Sequence, residues 1–200
     1  MNQIEALRRI RRLGVPGFET RDIAALLGVS PANASVLLSR LARGGFVRRV
    51  SRGRWTADDQ AGPERLAEQL AAPYPAYVSL QSALFRNGLI EQVPAVVYAV
   101  TPGRSRRVVT PLGTVSFHRI SAGLFGGFVV ADDGVKLATA EKALFDLLYL
   151  SPTRSRLFAR LPEIELPRGF RWGAIRRWVA KIPGKSRRAF VAKRVAELQS

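Results

Sequence analysis

The chain carries little of the side-chain equipment that covalent or metal chemistry needs. It has no cysteine and one histidine, His118. Thiol catalysis, a disulfide framework, a zinc finger and a histidine-based metal cluster are therefore excluded. Among the acids that stand close together are Asp58-Asp59, Asp132-Asp133 before Gly134, and Glu141 and Asp146 around Lys142. Asp-Asp-Gly reads as a hairpin turn rather than a metal site. Lys142 and Asp146 lie four residues apart, the spacing of a helix-surface ion pair worth about 0.2–0.5 kcal/mol. Asp146 also stands between Phe145 and Leu147, where it can bond a nearby strand or loop. Gly123-Leu-Phe-Gly-Gly127 lacks the Gly-Lys-Ser/Thr that completes a phosphate loop. His118 falls on the polar side of an alternating run and is expected as an ordinary exposed sheet histidine. With no nucleophile–base pair and no paired-carboxylate motif, the sequence predicts no enzyme, no cofactor and no metal.

What remains is the chemistry of cations. Thirty-two Lys and Arg stand against fifteen acids, a net charge of +17. The excess is uneven: +6 over residues 1–60, +1 over 61–150 and +10 over 151–200. A near-neutral middle thus separates two cationic segments. A charge of +10 in the last fifty residues exceeds what solubility needs and points to nucleic acid or to an acidic partner. The candidates there are Arg176, Arg177, Lys181, Lys185, Arg187 and Arg188.

The first 56 residues place cations in a recognisable frame, a winged helix-turn-helix. A short helix begins at a Thr20 cap and stops at Gly28, Val29 fills a turn, and Ser30 caps a second helix with Pro31 at its first position. Gly44-Gly45 ends it. Phe46 to Thr56 then reads as two short strands about an Arg-Gly turn, the wing. At 100° per residue, Ala34, Leu37, Leu38 and Leu41 share one face of the second helix. They are expected to pack on Ile23, Leu26 and Leu27 and on Ile4, Leu7, Ile10 and Leu13 of a first helix. Ala32, Ser35, Val36, Ser39 and Arg43 lie opposite, with Asn33 and Arg40 on the borders. That face is small, polar or cationic and carries no acid, so it suits a major groove. With Ser30 at its entry, it forms the expected DNA-binding set. Arg48, Arg49, Arg52 and Arg54 of the wing suit phosphates or a narrow minor groove. A three-helix protein-interaction module with a solvated basic face is the competing reading; the agreement of caps, spacing, wing and charge favours DNA.

The rest predicts an α+β protein: the winged helix-turn-helix over 1–60, then a mixed α/β domain over 61–200 whose residues 151–200 form a basic helical tail. Polar Ala57 to Pro63 marks the boundary. Glu64 to Ala71 reads as an amphipathic helix and Ser79 to Gly88 as a serine-capped one. Val96–Val100 and Thr114–Ile120 are strands. Gly127–Val130 and Val135–Leu137 form a hairpin about Asp132-Asp133-Gly134. Thr139 to Leu150 is a strong helix with Ala143, Leu144, Leu147 and Leu148 inward. Pro152, Pro162, Pro167 and Pro183 break the remainder into helical pieces, where Trp172 and Trp178 mark a helix packed on the core. The apolar fraction of 47% excludes a disordered chain. No apolar run approaches the roughly 18 residues of a membrane span, and no signal core opens the chain. A cytoplasmic location is the expectation.

The order of these elements carries a resemblance. Tyr77-Val-Ser-Leu-Gln-Ser-Ala-Leu-Phe-Arg-Asn-Gly-Leu-Ile90, Val97-Tyr-Ala-Val-Thr-Pro102 and Leu137-Ala-Thr-Ala-Glu-Lys-Ala-Leu-Phe-Asp-Leu-Leu148, placed after a winged helix, resemble the AbiEi family over about residues 5–150. These are antitoxins and transcriptional regulators of type IV toxin–antitoxin operons. The resemblance implies repression through double-stranded DNA at the operator of its own operon. It also implies that the C-terminal domain neutralises a nucleotidyltransferase-like toxin. A winged-helix regulator that senses a small molecule through residues 77–150, and a DNA-guided enzyme, are the alternatives from other classes.

Overall fold

The computed structural model describes residues 2–151 and 162–199. The helical piece expected between Pro152 and Pro162 lies outside them. Among the described residues, eight α-helices and two sheets make a mixed α+β fold. No single helix among them is long and apolar enough to cross a membrane.

The N-terminal elements are α1 (Gln3–Arg11), β1 (Phe18–Glu19), α2 (Thr20–Leu27), α3 (Pro31–Arg43), β2 (Arg48–Ser51) and β3 (Arg54–Thr56). The strands form one antiparallel sheet in the order β1-β3-β2. Helix α3 starts as its sequence predicts: the Ser30 hydroxyl accepts the Asn33 N–H at 3.2 Å, and Pro31 takes the first position. Helix α2 starts differently. Its cap is Glu19, which shares a reciprocal capping box with Asp22. Thr20 is spent elsewhere: its hydroxyl accepts from Trp55 Nε1 at 3.0 Å and donates to the Gly53 carbonyl at 3.3 Å. The start of α2 is thereby pinned to the β2–β3 hairpin. Helices α2 and α3 bend by 107° across Gly28-Val29-Ser30.

Ile10, Phe18, Ile23, Ala34, Leu38, Leu41, Val47 and Trp55 form the core of this part. Of the residues expected inside, Ile4 is largely outside at 67% exposure, and Leu13 and Leu26 are partly so at 37%. Ile4 sits about 240° round the helix from Ile10, and Leu13 lies two residues past the end of α1.

The remaining elements are α4 (Pro63–Ala71), β4 (Tyr77–Val78), α5 (Leu80–Arg86), β5 (Val97–Thr101), β6 (Arg106–Thr110), β7 (Gly113–Arg119), β8 (Phe128–Val130), β9 (Lys136–Ala138), α6 (Ala140–Leu150), α7 (Trp172–Ala180) and α8 (Lys185–Glu197). Their strands make a six-stranded mixed sheet in the order β6-β7-β5-β4-β9-β8. The β5–β7 and β4–β9 pairs are parallel and the others antiparallel. Helix α4 packs on β4, β5 and β7, while α6 packs on α5, α7, α8 and β9. Strand β6 is absent from the sequence reading, and its exposed Arg106 stands opposite Phe117 in the ladder. Its stem crosses the Phe117 ring, with the guanidinium carbon 5.6 Å from the ring centre, and its head donates to the Leu70 carbonyl at 2.6 Å.

The largest correction concerns Lys142 and Asp146. They are not a surface pair: both are fully buried. Helix α6 is enclosed on all sides, so its polar positions are inside as well. Lys142 Nζ donates to Asp146 Oδ1 and, at 2.8 Å, to the Leu124 carbonyl. It lies 4.5 Å from the Trp178 ring centre and 4.7 Å from that of Phe145. The other Asp146 oxygen accepts from the Tyr77 hydroxyl at 2.9 Å and the Ser79 hydroxyl at 2.8 Å. Ser79 therefore makes no side-chain cap bond to α5. Burial pushes Lys142 down and Asp146 up from their ordinary ranges; Lys142 and the two hydroxyls hold Asp146 back. Gly127, at φ +74°, lets the chain pass this centre. A Cβ there would stand 2.9 Å from the Trp178 ring and 3.0 Å from Cγ of Lys142.

Lys142→Met is expected to cost about 3–5 kcal/mol of stability, because it leaves a buried carboxylate without its cation. Adding Asp146→Asn should restore part of that loss, since no charge then lies uncompensated and the amide oxygen still accepts from Ser79 and Tyr77. Urea unfolding of the two variants measures the difference.

Candidate nucleic-acid interface

Helix α3 turns one face inward and leaves the other bare. Ala34, Leu38 and Leu41 are buried and Leu37 partly so, as the periodicity predicts. Ala32, Asn33, Ser35, Val36, Ser39, Arg40 and Arg43 are all exposed. Ser39 donates to the Ser35 carbonyl at 2.8 Å, within the helix, and keeps its lone pairs for an incoming donor. Ser30 is committed to the cap. Among the described residues, Arg40 and Arg43 have no ion-pair partner, so both charges face solvent. The expected set thus falls on one continuous surface, with two free guanidinium groups toward the C-terminal end of the helix.

The four arginines of the hairpin have separate fates. Gly53, at φ +72°, makes the turn. Arg52 beside it is exposed and unpaired among the described residues. Arg49 lies across Trp55, 5.7 Å from the ring centre, on the exposed side. Arg54 pairs with Glu19 at 3.4 Å and is partly covered. Arg48 is already occupied. Its Nη2 lies 2.8, 3.1 and 3.2 Å from the carbonyls of Asp58, Asp59 and Ala61. It braces the hairpin against the chain that leads to α4. Val50 packs into the larger core, and Gln69 of α4 donates to the Gly17 carbonyl. The hairpin is anchored to residues beyond the expected boundary at 57–64.

The six C-terminal candidates also divide. Arg187 is half-buried, donates to the Tyr149 carbonyl at 2.9 Å and covers the Tyr149 ring, so it holds α8 to α6. Lys181 lies 4.4 Å from the Trp178 ring centre and Arg176 bonds Gln199 at 3.3 Å. Arg177 and Lys185 are exposed and Arg188 is half-buried, with no ion-pair partner among the described residues. Trp172 and Trp178 pack against the core as expected. Arg104, Arg107 and Arg119, in and beside β6 and β7, are exposed as well and were not among the sequence candidates. The run Arg104-Ser-Arg-Arg107 was the available signal.

The acids and the histidine weighed for chemistry make the following contacts. Asp133 accepts the Val135 N–H at 3.1 Å and pairs with Arg86 at 2.9 Å, in the turn between β8 and β9. Burial alone would raise Glu141, but Arg171, bonded at 2.9 Å, outweighs it and holds the carboxyl below its usual range. His118 is not an ordinary exposed histidine. It is half-buried, 3.0 Å from the Ser116 hydroxyl and tilted on the Tyr98 ring. Burial pushes it down to about 4, so it is neutral near pH 7. Among the described residues, no group of three or more His, Asp or Glu is placed to hold a metal ion. A cavity of about 160 Å³ lies between the hairpin and α4, lined by Phe18, Arg54, Trp55, Leu66 and Gln69. That is below the roughly 300–1,000 Å³ of a small-ligand site. A cavity of about 420 Å³, within that range, is lined by Gly88, Leu89, Ile90, Glu91 and Gln92 together with Pro162, Glu163 and Glu165. Comparison with protein-family models and with curated proteins gives no match to this chain.

Two measurements follow from these geometries. His118 binds a proton in the unfolded chain below about pH 6.5 and in the folded chain only below about 4. Its contribution is complete above pH 6.5 and is lost as pH falls toward 4, by up to about 3 kcal/mol. The drop in urea midpoint between pH 7 and pH 4.5 should be smaller in His118→Gln than in the wild type. For the hairpin, Arg52→Ala should lower the slope of log K for DNA against log salt by about 0.9 with an unchanged melting temperature. Arg48→Ala should lower the melting temperature and leave the salt slope unchanged.

Proposed function

We propose that this chain is a sequence-specific double-stranded DNA-binding repressor and the antitoxin of a type IV toxin–antitoxin operon. Residues 1–60 act as a winged helix-turn-helix, with α3 as the recognition helix and the β2–β3 hairpin as the wing. The observation that carries the DNA reading is the outer face of α3. It is exposed, free of acid, and bears Arg40 and Arg43 without ion-pair partners among the described residues. It follows α2 at 107°, within the roughly 90–120° of helix-turn-helix pairs. Arg52 at the hairpin tip supports a backbone contact, and Arg177, Lys185 and Arg188 support a second one from the C-terminal helices. The operator is that of the protein's own operon.

The antitoxin half of the reading rests on the resemblance of residues 77–90, 97–102 and 137–148 to the AbiEi family. It assigns to residues 61–200 the neutralisation of a nucleotidyltransferase-like toxin in the cytoplasm. It assigns the chain no catalysis. The sheet and the α6 centre serve as a rigid body for that role.

Arg40→Ala with Arg43→Ala in the full chain tests both halves together. Operator affinity in a gel-shift titration should fall by about 1–3 kcal/mol for each arginine that reads a base edge, and less for one that meets a phosphate. A promoter reporter should be derepressed, while cells that co-express the toxin remain protected. Unchanged affinity would remove α3 from the groove. Loss of protection alongside repression would refute the division of labour.

A further inference from the structure

Val36 has no structural reason to be where it is. It is a β-branched apolar residue at the centre of the outer face of α3, 51% exposed, and it is absent from the core on which that helix packs. Alanine would serve the helix better at an exposed position. Ala32 lies one turn earlier on the same face, and the two make a short apolar strip. Asn33, Ser35 and Ser39 border it, and Arg40 lies one turn beyond. The surroundings specify the occupant. Arginines without ion-pair partners among the described residues, on an acid-free surface, draw a polyanion rather than an apolar protein face. On the base edges of the major groove, the apolar feature is the 5-methyl group of thymine.

We infer that Val36 reads a thymine methyl group, and so fixes an A·T pair beneath the middle of α3. This rests on the DNA reading above and adds the base to it. The polar side chains on either side then have neighbouring base edges within range, and Arg40 and Arg43 reach guanine or phosphate further along the helix.

The test uses the full chain and a randomised duplex pool. Sites are selected for binding, and each thymine of the selected site is then replaced singly by deoxyuridine, which pairs identically and lacks the methyl group. One or two positions should weaken binding about fourfold, the worth of one buried methyl group. Val36→Ala, which leaves the core intact, should bind the thymine and uracil duplexes equally at those positions. Its melting temperature should match that of the wild type. Binding that no deoxyuridine weakens, or a methyl effect that persists in Val36→Ala, would overturn the inference and leave the DNA reading standing. Selection that enriches no duplex would overturn both.

Discussion

The C-terminal fold depends on one charge placed where solvent cannot reach it. Lys142 and Asp146 sit at full burial, and their attraction offsets the cost of desolvation only while every remaining bonding site is filled. Tyr77, Ser79 and the Leu124 carbonyl fill them. These groups come from β4, from the residue that opens α5, and from the turn before β8, while Trp178 of α7 closes over the ammonium. One ion pair therefore sets the relative positions of the sheet, two helices and the C-terminal extension. Leu80 bears the mark of that constraint. It follows Ser79 directly and is held at φ +54°, a conformation a leucine does not adopt unforced.

The contrast with α3 is instructive. A buried ionic network costs heavily when half-satisfied and so specifies a single arrangement. The outer face of α3 carries no such obligations. Its exposed side chains make no bond to the rest of the protein among the described residues. The fold is rigid around Lys142 and uncommitted at the surface proposed to meet DNA.

Much of the local structure was legible in the residues because it is encoded locally. Ser30-Pro31, the 3.6-residue spacing of Ala34, Leu38 and Leu41, and the Asp-Asp-Gly turn each act within a few positions. The errors arise where a distant partner redirects a side chain. Thr20 has the form of a cap, but Trp55 claims its hydroxyl. Ser79 has the same form, but Asp146 claims it. Arg106 breaks the alternation of β6, yet it stays exposed and lies over the Phe117 ring. Lys142 and Asp146 have the spacing of a surface pair, and only the enclosure of α6 places them inside. Among the candidate site residues, those on α3 were legible because one helix presents them. In the hairpin and C-terminal sets, the internal bonds of Arg48 and Arg187 were not, because the carbonyls of Asp58 and Tyr149 that draw them away are announced by no local pattern.

The grip of Arg48 on three carbonyls separates two kinds of position in a lineage of such proteins. Residues 32, 33, 35, 36, 39, 40 and 43 can drift without disturbing the fold, since the interior does not use them. The hairpin has no such licence, because the chain into α4 hangs from it. Under the proposed DNA reading, new binding preferences can thus arise by substitution along α3 alone, and recombination that joins this hairpin to a foreign second half would have to bring residues 58–61 with it.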